Sequence, residues 1–320
     1  MIRKILLASV VLLVCLGAAE SYFVDRPLRR IQQVLKSDNS SLRFVGDVPV
    51  WQAQISERTQ VANRSCLSST NGEVDVMLLG DSIFFGVMVD PSLTLAPLLQ
   101  RQLSERLGRP SCVINLSEPG FSFQSQAAMF REEVAQNKPK IVVLELWFNS
   151  THKFIPINGA VYNFGNLEKD ENGLPNLGLP SALNRVLFSN SALWRHVSVG
   201  LAPTTSERLS DRWADFVITD LEPFAAWLDA QNIELVVAFA TTLGTPFSDG
   251  RPTQNTTYRS AMEWAAARGV PQVVFSDVLA NEDVASVRND TCCHLNARGT
   301  KLVADDMAPK LLQLLDSAEE

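Results

Sequence analysis

The run Val74-Asp-Val-Met-Leu-Leu79-Gly80-Asp81-Ser82 passes directly from apolar residues to a polar turn. Apart from Asp75 near its start, Val74–Leu79 reads as a strand buried on both faces, the pattern of a parallel sheet. Gly80 suits a sharp turn at the exit. Ser82 therefore stands where a buried strand empties into a loop.

The same pattern repeats on the C-terminal side. Leu93–Leu107 predicts an amphipathic helix, apolar at Leu95, Leu98, Leu99, Leu103 and Leu107. Cys112–Leu116 predicts a strand, and Gln124–Gln136 a helix with Ser122 as its cap. Ile141–Trp147 predicts a strand that is apolar except for Glu145. Further on, Pro223–Gln231 and Tyr258–Arg268 predict helices, while Ile233–Ala240 and Val273–Phe275 predict strands. Asn296 can cap a last helix, Ala297–Leu315, which Pro309 would kink or split. Apolar strands alternating with helices predict an α/β fold with a mostly parallel sheet covered on both faces. Ligands in such folds sit beyond the carboxyl ends of the strands.

Two stretches break the alternation. Residues 25–72 read as a polar, irregular stalk or lead-in before a domain spanning 73–320. The stretch 149–203, rich in Asn, Gly and Pro, reads as a long insertion, either a substrate-binding lid or a surface excursion. Residues 1–24 read as a targeting segment: Arg3 and Lys4 precede the apolar run Ile5–Ala19. Such a run is short for a spanning helix and suits a signal-peptide core, with a cleavage site at Gly17-Ala18-Ala19. An uncleaved membrane anchor, lengthened by Tyr22, Phe23 and Val24, is the other reading. Lipoprotein processing at Cys15 is disfavoured by the bulk of Val14. Either reading predicts an extracytoplasmic location, secreted, periplasmic or tethered.

The chain has 320 residues, 46% hydrophobic and 20% charged, with a net charge of −7. That is globular composition. Beyond a small cluster at Arg26, Arg29 and Arg30 it holds no basic block, which argues against a nucleic-acid partner. Cys66, Cys112, Cys292 and Cys293 allow three pairings. A Cys66–Cys112 bridge is preferred, leaving the adjacent pair, whose own bridge could stiffen the loop that bears His294. No Cys/His spacing suits zinc, so no metal and no cofactor are predicted.

Near the C-terminus stands Asp290-Thr-Cys-Cys-His294. With Ser82 it supplies a nucleophile, a carboxylate and a base, the residue types required for acyl transfer through a serine ester. His294 is the candidate base and Asp290 its candidate orienter. Candidate oxyanion donors are the Ser82 amide, the Gly120 amide after the second strand, and the Asn149 side chain after the third. Asn149 also opens an Asn-Ser-Thr glycosylation sequon. Asp81 reads as a turn former and His196 as structural. His152 reads as a loop residue on the surface or lining the site. Glu145 fits either a sheet edge or a pairing with a buried cation, and no role is read for it.

These motifs resemble the SGNH (GDSL) hydrolase superfamily, from Val74 to about Leu315. Its members carry Gly-Asp-Ser after the first strand, a glycine after the second, an asparagine after the third and Asp-x-x-His near the end. The resemblance implies a three-layer α/β/α sandwich of about five parallel strands, flavodoxin-like. It also implies a Ser82–His294–Asp290 triad with Ser82, Gly120 and Asn149 as oxyanion donors. Two departures stand out. The family's Gly-x-Asn-Asp is here Trp147-Phe148-Asn149-Ser150, so Trp147 and Phe148 either shape a pocket or join the core. Asp290 precedes His294 by four residues instead of three, which makes Asp277, read first as a turn or cap residue, a reserve orienter. The Gly-x-Ser-x-Gly elbow of α/β-hydrolases is absent. The expected activity is hydrolysis of an ester, such as an O-acetyl group on a cell-envelope carbohydrate or a lipid ester. O-acyl transfer to a glycan, and carbohydrate binding or assembly without catalysis, are the alternatives.

Overall fold

The structure, a computed structural model of the chain, describes residues 14–24, 26, 28, 33–36, 42–45, 48–51, 64–147, 150–158, 160–205, 209–241, 243 and 258–317. These divide into two compact units, one of residues 43–152 and 207–320, the other of residues 1–42 and 153–206.

The larger unit is built on a five-stranded sheet whose strands we number β1 (Val74–Leu79), β2 (Val113–Asn115), β3 (Pro139–Leu146), β4 (Glu234–Phe239) and β5 (Gln272–Val274). Their order is β5-β4-β3-β1-β2 and every pairing is parallel. This is the flavodoxin-like order, in which the chain reverses direction across the sheet between β1 and β3. The main helices are α1 (Ser82–Phe85), α2 (Leu95–Leu107), α3 (Phe123–Val134), α4 (Leu209–Phe216), α5 (Glu222–Ala230), α6 (Arg259–Ala267) and α7 (Ala297–Ser317). Right-handed crossovers put α2 on one face and α3 on the other, because β1 to β2 and β2 to β3 run in opposite directions across the sheet. Packing agrees. On one face α2 lies against α7. On the other, Phe123 and Phe130 of α3 meet Phe224 of α5 edge-on, with ring centroids 5.3 and 6.0 Å apart. The unit is thus a three-layer α/β/α sandwich.

Burial explains why the strands form here. All six residues of β1 are buried, and β3 is buried throughout except Lys140. The register pairs Val74 with Pro139 and Leu79 with Leu144, so Asp75 lies beside Lys140 at the amino end. Asp75 is 1% exposed and ionised among donors. Its oxygens accept from Ser111 Oγ (2.8 Å), the Cys112 amide (3.0 Å) and Arg109 (3.2 Å), and Lys140 lies 3.6 Å away. Burial opposes its charge, but these partners outweigh burial and hold its pKa below the ordinary value. Cys66 is bonded to Cys112 beside it.

The smaller unit has its own core. A strand at Gln33–Lys36 pairs antiparallel with Ala160–Asn163, which pairs antiparallel with Ile155–Ile157. Helices Ser181–Asn190 and Ala192–Leu201 follow. Tyr162, Phe164, Phe188 and Val199 are among the residues of this core. The helical residues 14–23 reach it through Glu20, whose carboxylate accepts from Ser191 Oγ and from the amides of Ala192 and Leu193. That satisfies otherwise orphaned N–H groups at a helix start. The His196 ring lies tilted against Phe23, with centroids 4.5 Å apart, and its Nδ1 bonds Ala192 O.

Several expectations change. The lead-in 25–72 is not wholly irregular: it holds strands at Gln33–Lys36, Leu42–Val45 and Val48–Trp51 and a 3-10 turn at Ser65–Ser68. Within the stretch 149–203, residues 153–203 have strands and helices of their own and cluster with the N-terminal segment. Their pairing is non-local, between short strands with little periodicity to read. Helix α2 starts at Leu95, since Pro91–Leu93 makes a separate turn and Thr94 is extended. Ser122 sits at the N-cap of α3 without a side-chain cap bond. Pro309 does not split α7, because buried Met307, Ala308 and Leu311 on either side hold the helix to the core. Helix α4, continuing through a π-helical turn at Val217–Leu221 into α5, is additional. Among the described residues no helix is long and apolar enough to cross a membrane. Most of the run Ile5–Ala19 lies outside those residues.

Candidate active site

The carboxyl ends of β1 and β3, where the sheet order reverses, carry the candidate site. After β1 the chain turns at Gly80 into the single-turn helix α1. Asp81 caps it, its Oδ1 accepting from the Ile83 amide at 3.0 Å. Asp81 is thus the turn former expected. Ser82, the first residue of α1, is half-buried.

Neighbouring strands hold this turn from both sides. From β2, Asn115 Nδ2 donates to Phe84 O at 2.8 Å. From β3, Glu145 Oε2 accepts from the amides of Asp81 (3.0 Å) and Phe84 (3.1 Å). Glu145 is therefore neither at a sheet edge nor paired with a cation among the described residues, which corrects both expectations for it. β3 lies between β1 and β4, and Glu145 is 1% exposed. Burial first, then the nearby Asp81 charge, raises its pKa well above the usual carboxyl value.

The third component comes from the loop before α7. Arg288 and Leu295 form an antiparallel bridge, and the Asn289 amide donates to His294 O at 2.8 Å. Inside this loop Asp290 Oδ1 accepts from the amides of Cys292, Cys293 and His294 at 3.0, 3.0 and 3.2 Å. Cys292 and Cys293 are bonded to each other. Asn289 Nδ2 also donates to Met88 O at 3.1 Å, tying the loop to the segment after α1. Asn296 caps α7, accepting from the Gly299 amide at 3.0 Å.

These elements bring three side chains into line. His294 Nδ1–H donates to Asp290 Oδ2 at 2.5 Å, and Ser82 Oγ–H donates to His294 Nε2 at 2.9 Å. The four-residue spacing of Asp290 and His294 is accommodated by the turn through Cys292 and Cys293. Asp277 is exposed on a short helix, bonded to Ser276, and takes no part in this line. Burial opposes ionisation of Asp290, but the bonds from the imidazole and three amides outweigh it and hold its pKa well below the carboxylate range. An ionised Asp290 favours the tautomer with its proton on Nδ1, which leaves Nε2 as the acceptor of the Ser82 hydrogen bond.

Among the amides of 81–85, Asp81 and Phe84 donate to Glu145, Ile83 to the Asp81 side chain, and Phe85 to Asp81 O at 2.9 Å. The Ser82 amide has no acceptor among the described residues. Gly120 lies in the turn 118–121 at φ +81°, a conformation glycine adopts freely. The Glu118 amide donates to Gly80 O at 3.3 Å, which anchors that turn beside the turn that carries Ser82. Asn149 and Phe148 lie outside the described residues. Trp147 joins the core at 3% exposure, and its amide donates to Ser150 Oγ at 2.9 Å. His152 is half-buried. No group of three His, Cys, Asp or Glu side chains among the described residues could hold a metal ion.

The chain matches no protein-family model, and no curated protein matches it. Solved structures do match. The chain is similar to G-D-S-L lipolytic proteins. One, from Veillonella parvula DSM 2008, is 12% identical over 74% of this chain and 97% of its own, with a TM-score of 0.44. TesA is 16% identical over 75% and 99%, with a TM-score of 0.47. The psychrotrophic esterase EstA from Pseudoalteromonas sp. is 13% identical over 76% and 100%, with a TM-score of 0.45.

Proposed function

We propose that this chain is a serine esterase. The observation that carries the proposal is the continuous hydrogen-bond line from Asp290 through His294 to Ser82, at 2.5 and 2.9 Å. Ser82 Oγ attacks the ester carbonyl carbon while His294 Nε2 takes its proton. Asp290 stabilises the imidazolium that forms. The carbonyl oxygen becomes an oxyanion, held by the Ser82 amide together with the Gly120 amide and the Asn149 side chain. Collapse breaks the ester C–O bond, and His294 returns the proton to the departing alcohol. Water then attacks the acyl-serine, giving a proton to His294, and the free acid leaves as Ser82 is restored.

An O-acetyl group on a cell-envelope carbohydrate, or a lipid ester, is the proposed substrate class. The apolar run Ile5–Ala19 supports an extracytoplasmic or membrane-tethered setting. The test is hydrolysis of a short-chain chromogenic ester by the protein and by its Ser82→Ala and His294→Ala forms. Loss of turnover in both, with folding intact, is the expected result. Turnover surviving Ser82→Ala would overturn the mechanism. Acyl groups recovered on an added oligosaccharide would redirect it to transfer.

A further inference from the structure

The reaction sequence makes no use of Glu145, an acid in the interior of the sheet. An acid so buried ordinarily answers a cation. The titratable groups facing Glu145 are instead Asp81, from the turn, and Tyr258, beside the start of α6. One of its oxygens, Oε1, has no hydrogen-bond partner among the described residues. The other, Oε2, binds the two amides that flank Ser82 in the turn. A Cβ on Gly80 would collide with the same oxygen and with Phe84 Cβ. The turn is therefore closed onto Glu145, and a side chain at Gly80 would push the two apart.

We propose that Glu145 is a positioning residue for Ser82. By taking the Asp81 and Phe84 amides it fixes the turn so that, of the amides of residues 81–85, the Ser82 amide is the one left for an oxyanion while the Ser82 hydroxyl meets His294. The role in turnover rests on the esterase reading. Its structural half, the fixing of the turn, does not. Burial and the Asp81 charge favour the protonated acid, so Glu145 accepts both amides without a counter-ion. A glutamine would do the same.

Glu145→Gln keeps a neutral acceptor of the same shape. Glu145→Leu keeps the bulk and removes the acceptor. Gly80→Ala drives a methyl group against the Glu145 carboxyl and Phe84 Cβ and serves as the second probe should Glu145→Leu not fold. Two readouts apply to each: kcat and KM for a short-chain ester, and amide hydrogen exchange at Asp81 and Phe84. We expect Glu145→Gln to keep the parent's kcat and exchange protection. Glu145→Leu and Gly80→Ala should lower kcat about 10²-fold, the scale of losing an oxyanion donor. KM should change little and protection at both amides should be lost. Glu145→Gln failing as badly as Glu145→Leu would overturn the proposal, as would parental exchange protection in Glu145→Leu and Gly80→Ala. A parent that leaves a fluorophosphonate unreacted would sink the esterase reading instead, and the exchange comparison would still decide whether Glu145 fixes the turn.

Discussion

Asp75 and Glu145 are both buried acids on paired strands, one at the amino end of β1 and the other at the carboxyl end of β3. At Asp75 the fold supplies Arg109, Lys140, a serine hydroxyl and an amide, and the pKa falls. At Glu145 it supplies two turn amides and a second carboxyl group, and the pKa rises. A buried acid with cations is an anchor for the sheet. One without them, Glu145, accepts two amides of the turn that carries Ser82. The two ends of the sheet are thus expected to answer mutation differently, in stability at the amino end and in rate at the carboxyl end.

The largest expected effect is in rate. Asp290→Asn should cut turnover about 10⁴-fold by admitting the wrong imidazole tautomer, with little change in melting temperature. A large drop in stability instead would blur the division between the two ends. Next comes the amino end. Replacing Cys66 and Cys112 by serine opens a bridge across a sequence separation of 46, expected to cost about 4 kcal/mol in denaturant unfolding. The kcat of the remaining folded protein should be unchanged.

Asp75→Ala should cost roughly 2 kcal/mol, because Ser111, Cys112 and Arg109 lose their acceptor. Its pH signature follows from the lowered pKa. The stabilisation is complete above the unfolded-state value, about 3.9, and is lost as pH falls through the lower folded value. Unfolding measured from neutral to acid pH should show the difference between parent and variant shrinking. The smallest effect sharpens the contrast. Glu145 has a raised folded pKa, so stability declines as pH rises above its unfolded value, about 4.3. Glu145→Gln lacks that decline. It should be at least as stable as the parent at neutral pH, and any gap should close below about pH 4.

The sheet was legible in the sequence because its strands are apolar on both faces, which left their boundaries uncertain by a residue or two. Ser82, Asp290 and His294 were legible as a set because each is a reactive polar type at a strand exit or loop. Glu145 was visible as an anomaly, but its partners are backbone amides 61 and 64 residues away, which no side-chain pattern announces. Asn115 was hidden for the same reason, since it binds a carbonyl of the turn. The pairing of Gln33–Lys36 with Ala160–Asn163 joins two short segments far apart in the chain, with no periodicity to reveal it.

The esterase reading is tested most sharply by reaction with a fluorophosphonate, followed by mass mapping of the modified peptide. One phosphonyl group on Ser82 is expected, absent in His294→Ala and much slower to form in Asp290→Asn. A protein that folds and stays unmodified, or is modified at another residue with Ser82 untouched, would contradict it.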